Sequence, residues 1–223
     1  MMWLGSIGGG VLNADIHQSM FTFHSLNFAD DDIPTTSVRS LFTDSDNNIW
    51  MGIGTYGLAC LEYATGKLKS HSQMPEFTGM TIPTVFSVVQ RKGSGEIWFG
   101  TYDGGIFAYH KGQRVRNLTP ENCKFLGSSC VSALYEDKYA NCWVGTRGSL
   151  GVQLADGNSF LFENMSFVDG AQLNWFYVRD IIADSDNSMW IATSNYGLIH
   201  IEGDIRNPST LKYYNYSFYN KRM

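Results

Sequence analysis

Carboxylates and carboxamides crowd two short stretches of this chain, Asp44-Ser45-Asp46-Asn47-Asn48 and Asp184-Ser185-Asp186-Asn187-Ser188. Oxygen-rich runs of this kind can hold calcium, but an EF-hand loop needs glycine at its sixth position and an acid at its twelfth. The first stretch has Ile49 and Thr55 there. Asp and Asn also bond their own backbone and tolerate left-handed conformations, so both runs are read as hairpin turns. Cys60, Cys123, Cys130 and Cys142 lack the C-x-x-C spacing of a zinc site. They are read as small apolar fillers of strands in preference to a Cys123–Cys130 bridge. No Ser/His/Asp arrangement is recognisable. His17, His24, His71, His110 and His200 fall mostly on late strands and their exits, and Asp103 and Asp180 make only a thin case for general acid–base work. The chain is expected to be non-catalytic, with neither a metal ion nor a cofactor.

Binding chemistry has the better case. Tyr56, Tyr102, Asp103, Arg147, Asn195 and Tyr196 each follow a tryptophan-bearing segment. Arg39, Phe86, Asn174, Trp175, Phe176, Tyr177 and Arg179 stand before or at the start of the segments that precede those tryptophans. Aromatic faces stack on sugar C–H surfaces, while Arg, Asn and Asp reach hydroxyls or carboxylates, so the mixture suits an oligosaccharide. Trp175 is the most telling of the set, because it alone among six tryptophans is out of phase with the others.

The elements that must carry these groups follow from that phase. Trp3, Trp50, Trp98, Trp143 and Trp190 are separated by 47, 48, 45 and 47 residues. Each is followed by an apolar residue and then a small one, and Gly-aliphatic recurs as Gly10-Val11, Gly57-Leu58, Gly105-Ile106, Gly151-Val152 and Gly197-Leu198. A fixed period of this length means one supersecondary unit repeated. In the second copy, Val38–Thr43 is rich in strand formers, and Ile49–Ile53 is apolar on both faces, as a strand buried on both sides should be. Residues 58–62 read as a third strand and 67–71 as a fourth, more polar edge strand. Four antiparallel strands per repeat predict a β-propeller blade. The small residue after each Trp is expected to let neighbouring backbones approach.

The opening strands share a Val, an aliphatic and an acid at three-residue steps: Val38/Leu41/Asp44, Val131/Leu134/Asp137 and Val178/Ile181/Asp184. The third copy departs, with Arg91 where the acid belongs and one extra residue before its Trp. A sialidase Asp-box would put aspartate on the fifth residue before Trp, and Ser45, Gly93, Lys138 and Ser185 stand there instead. The reading is an all-β, incomplete propeller ring spanning residues 1–223, with blades at 2–25 (three strands), 38–72, 85–118, 131–163 and 178–216. Because Trp3 arrives without a preceding strand, the chain reads as an excerpt of a longer polypeptide. Its net charge of −5 with scattered Lys and Arg offers no basic stripe for nucleic acid. No apolar run approaches the roughly 18 residues of a membrane helix, and Met1 to Leu12 lacks the positive start of a secretory signal.

The string Val-x-x-Leu-x-x-Asp, a polar turn, Trp-aliphatic-Gly-Thr and then Gly-Leu resembles the two-component regulator propeller repeat. Val38 to Leu61 and Val178 to Ile201 match it closely, and the copies at Val85 and Val131 match well. The resemblance implies a periplasmic input region of a hybrid two-component sensor, followed elsewhere in the polypeptide by a membrane helix and a histidine kinase. It implies an oligosaccharide or related small ligand. It also implies, as partners, the remaining blades and downstream sensor-kinase domains, with a homodimer as a further class and no nucleic acid. No kinase motif stands in these residues. The competing expectations are a protein-interaction scaffold without its own ligand and a propeller lyase or hydrolase.

Overall fold

The computed structural model describes residues 2–6, 10–15, 20–24 and 37–216, with side chains described from residue 37 onward. The side chains of Trp3 and His24 fall outside the described set, as does the whole of His17. Among the described residues the regular elements are strands and short 3-10 turns, and the fold is all-β, of the propeller class. The chain divides into two compact units, Met1–Gln90 with Glu96–Asn117, and Arg91–Gly95 with Leu118–Met223.

In the first unit, β1 (Met2–Ser6), β2 (Gly10–Asp15) and β3 (Met20–His24) form a three-stranded antiparallel sheet. A second sheet runs β4 (Val38–Thr43), β5 (Ile49–Ile53), β6 (Gly57–Leu61) and β7 (Leu68–Ser70) in simple up-and-down order. A third repeats it with β8 (Val85–Gln90), β9 (Ile97–Thr101), β10 (Ile106–Tyr109) and β11 (Arg116–Leu118). Strand β7 is shorter than its composition predicts. The Ser70 side chain caps a 3-10 turn at His71–Gln73, and Gln73 reaches back to the Ser70 amide, so the chain leaves the edge there.

The second unit holds β12 (Val131–Glu136), β13 (Cys142–Thr146), β14 (Leu150–Gln153) and β15 (Ser159–Phe162). A two-stranded hairpin follows, β16 (Met165–Ser166) with β17 (Gln172–Leu173), which the repeat does not foretell. The last sheet is β18 (Val178–Ala183), β19 (Met189–Thr193), β20 (Gly197–Glu202) and β21 (Lys212–Tyr216).

Packing explains the repeat. In the first unit Trp50 meets Phe99 and Tyr109 at ring-centroid distances of 5.1 and 5.0 Å, and Phe77 stacks on Tyr109 at 5.5 Å. In the second, Trp143 shares a cluster with Leu150, Phe176, Val178, Ile181 and Ile199. The glycine two residues after each of these tryptophans is needed for close approach. A Cβ on Gly52 would lie 2.4 Å from the Val85 carbonyl oxygen, and one on Gly145 would lie 2.7 Å from the Val178 Cβ. Trp190 is the exception: it stacks on His200 at 4.2 Å, on a sheet face where Ile182, Leu198 and Tyr216 are exposed.

The acid of the opening strand has a structural duty. The Asp137 carboxylate accepts from the Tyr139 and Asn141 amides, the Asn141 side chain and the Trp143 indole, all within 3.2 Å. Asp44 repeats the arrangement with Asp46, Asn48 and Trp50. The Asp44 oxygens are thus engaged by donors from their own turn and the following strand, as a hairpin turn requires. Asn47 and Asn187 take the left-handed conformation at φ 64 and 70°. All four cysteines are free and buried, so Cys123 and Cys130 are unbridged.

Candidate functional site

Each four-stranded sheet shifts register one residue after its opening Val: between Val38 and Ser40, Val85 and Ser87, Val131 and Ala133, and Val178 and Asp180. A bulge leaves one residue unpaired and re-aims its side chain. The residues so placed are Arg39, Phe86, Ser132 and Arg179. Three of these are candidate binding residues. The fourth, Ser132, is turned inward, where its hydroxyl donates to the Val178 carbonyl at 2.6 Å.

Five candidates converge in the second unit, at the end of its sheets where β12 and β18 begin and where β13 turns into β14. Trp175, Phe176 and Tyr177 enter β18 in extended alternation, so Phe176 is fully buried while Trp175 stands 51% exposed. Arg147, after β13, bridges the backbone of Tyr177, and its guanidinium carbon lies 6.0 Å from the Trp175 ring centroid. The next residue, Gly148, is left-handed at φ 102°. Its amide donates to the Phe176 carbonyl, and an added Cβ would crowd the Trp175 indole nitrogen at 3.3 Å. Arg179 lies over Tyr177 with its guanidinium carbon 4.1 Å from the ring centroid, and its Nε donates to the Ser194 hydroxyl.

The Asn195 carboxamide ties this cluster together. Its Nδ2 donates to the Trp175 carbonyl at 3.0 Å, and its Oδ1 accepts from the Tyr177 amide at 3.3 Å. Both ends of that amide are engaged by backbone, so Asn195 positions the Trp175 segment. Tyr196 packs half-buried against the apolar cluster of this unit, and its amide donates to Thr193 Oγ1. The Tyr177 hydroxyl contacts Cys130 Sγ at 3.4 Å. What results is an exposed indole, a phenol and two guanidiniums gathered where β18 begins and β13 ends, with the Asp180 carboxylate turned onto the Ile181 amide. Such a surface can stack a sugar ring and pair with hydroxyls or carboxylates.

The first unit carries the remaining candidates. Phe86 and Tyr102 meet edge to face at 5.8 Å, with Tyr102 and Asp103 exposed. Arg39 is exposed, and Tyr56 sits half-buried against the cluster of Val38, Ile53 and Ala59. Gly148 and Ser194 are contributors that sequence reasoning missed. A glycine in a Thr-Arg-Gly-Ser turn and a serine before Asn195 carry no signal of a partner nearly thirty or fifteen residues away.

The family model described as Two component regulator propeller matches residues 32–55. Histidine kinase P4 of Formosa agariphila is 25% identical over 159 residues, which cover 68% of this chain and 11% of that protein. The extracellular domain of a protein described as a hybrid two component system from B. thetaiotaomicron superposes with a TM-score of 0.75 at 19% identity. The match takes in 99% of this chain and 28% of that one. PorZ, a surface component of the type-IX secretion system of Porphyromonas gingivalis, gives a TM-score of 0.69 at 15% identity, over 98% of this chain and 32% of its own. The chain thus spans about a third or less of each of these proteins. At such identities the two solved structures speak for the propeller fold. Among the described residues no helix is long and apolar enough to cross a membrane.

Proposed function

We propose that this chain is a non-catalytic, ligand-sensing propeller segment of a periplasmic region in a hybrid two-component sensor, and that its ligand is an oligosaccharide. The reading is carried by one observation: Trp175, Tyr177, Arg147 and Arg179 converge on a strand entry that Asn195 and Gly148 hold in shape. Two guanidiniums favour a sugar bearing carboxylates, since planar donors match carboxylate geometry. The propeller repeat at residues 32–55 and the sensor-type proteins among the relatives support the context. In that context the remaining polypeptide would link binding to a kinase.

Calorimetry with a panel of neutral and uronic-acid oligosaccharides tests the proposal. We expect heat with a uronic-acid member and at least about a tenfold loss in Arg147→Ala and Arg179→Ala, the scale of one charged hydrogen bond. Absence of heat across the panel contradicts it.

A second reading, a scaffold for a protein partner or a homodimer, is favoured by the exposed Ile182, Leu198 and Tyr216 on the face that carries Trp190. Under it, Leu198→Ser would abolish assembly and Arg147→Ala would change nothing.

A further inference from the structure

The opposite end of the second unit's sheets holds a different site. There the turns that join first to second strands and third to fourth strands enclose a cleft of about 760 Å³. Its floor is apolar and buried, made by Trp143, Leu154, Met189 and Ile201. Its walls carry four carboxylates, Asp156, Asp186, Glu202 and Asp204. A concave apolar site with a few placed polar groups is the usual form of a ligand pocket.

The charges at this cleft are unevenly matched. Asp204 holds Arg206 bidentately, with Nε–Oδ1 and Nη2–Oδ2 distances of 2.9 and 2.8 Å, and Glu202 faces His200 at 3.5 Å. Asp156 accepts only from Asn158 of its own turn, and Asp186 from Ser188 of its own. Among the described residues neither has a cation within ion-pair distance. Nor do the described carboxylates, histidines and cysteines anywhere form a group that could hold a metal ion. The cleft therefore carries four carboxylates against one guanidinium, with Arg206 acting on Asp156 and His200 on Asp186 only from beyond ion-pair distance, above an aliphatic and indole floor. The complement of that surface is a flat cation on an apolar stem. Arg206 already shows how a guanidinium sits on this wall.

We propose that this cleft binds an arginine-bearing peptide segment. The arginine stem lies along the half-buried Ile205 and Leu211, which also line the cleft, and its guanidinium pairs with Asp156 or Asp186. The site is separate from the Trp175 cluster and does not depend on that cluster's ligand. It gives the segment a protein partner on one end of the sheets whatever binds at the other.

The test uses the whole chain and a fluorescein-labelled, end-blocked peptide, Leu-Arg-Leu-Arg-Leu, followed by anisotropy at low salt. Controls are the same peptide with Gln for Arg, and a glucosamine trimer as a non-peptide cation. The expected result is saturable binding of the Arg peptide, about tenfold tighter than the Gln peptide, weakened by salt. Asp156→Asn with Asp186→Asn should lose about tenfold, and Glu202→Gln in a separate variant should lose severalfold. Asparagine keeps an acceptor for the turn amides, so thermal melting should stay unchanged, and Arg147→Ala should bind the peptide normally. Equal affinity for the Gln peptide, undiminished binding by the Asn double variant, preference for the glucosamine trimer, or no saturable binding each overturns the proposal.

Discussion

Asp137 shows what a repeated residue does when its job is structural. Its fully buried carboxylate takes four donors, and one of them is the indole that marks the repeat. Asp137→Ala leaves the Asn141 amide and the Trp143 indole without acceptors inside the protein, so we expect a loss of about 3 kcal/mol in urea unfolding. Asp184 makes the matching contact to Trp190 at 3.3 Å but is exposed, and the Ser185 amide, followed by that indole, holds its carboxyl below the usual range. There water can replace the lost acceptor. Asp184→Ala should cost clearly less than Asp137→Ala in the same measurement. Equal losses at the two positions would contradict the assignment of burial as the cause.

At the scale of elements, the third copy shows where periodicity stops being a guide. Arg91 replaces the acid, and Trp98 donates instead to Glu96 at 3.3 Å. Arg91 is drawn into the second unit. There its Nε pairs with Glu136 at 2.7 Å, Nη1 donates to Gln153 and Nη2 to the Ala140 carbonyl. Restoring the repeat pattern by Arg91→Asp sets a carboxylate beside the buried Glu136 side chain, and we expect destabilisation of about 3–5 kcal/mol. Stabilisation by that change, read from the urea midpoint, would mean the ion pair is not what holds the turn.

The strands themselves were legible, since short runs of strand formers, apolar on both faces around each Trp and bounded by Asp, Asn and Gly at a fixed period, leave little choice. The Gly52 and Gly145 contacts were legible from the small residue that recurs two positions after each Trp. The bulge after each opening Val was not, because a register shift leaves no mark on composition. Nor was the β16–β17 hairpin, which lies between repeats, or the partners of Arg91, which sit 45 and 62 residues away. The sequence named Trp175, Tyr177, Arg147 and Arg179 alongside Arg39, Tyr56, Phe86, Tyr102, Asp103, Asn195 and Tyr196, and could show neither which of them meet nor that Asn195 faces backbone. The acidic cleft was hidden inside segments correctly read as turns.

For the molecule as a whole, buried protons set the alkaline limit. Burial, with Asp44 adding repulsion, pushes the Cys60 thiol from 9.0 to about 12, and burial does the same for Cys142. Tyr109 and Tyr213 are raised by burial as well. The folded state holds these protons more tightly than the unfolded chain, so their contribution is intact below about pH 9 and drains away as pH climbs towards 12. The unfolding free energy should therefore fall steeply between pH 9 and 11, by up to about 1.4 kcal/mol per pH unit for each thiol. Cys142→Ala should flatten part of that slope.

The central claim is that Trp175 is a binding face, and its own fluorescence reports on it most directly. Excited at the indole band and titrated with a uronic-acid oligosaccharide, the chain should show a saturable blue shift, because stacking a sugar dries an indole that is now half-exposed. The shift should vanish in Trp175→Phe while that variant melts as the parent does. An emission spectrum that ignores every sugar offered, or a shift that survives in Trp175→Phe, would contradict the account.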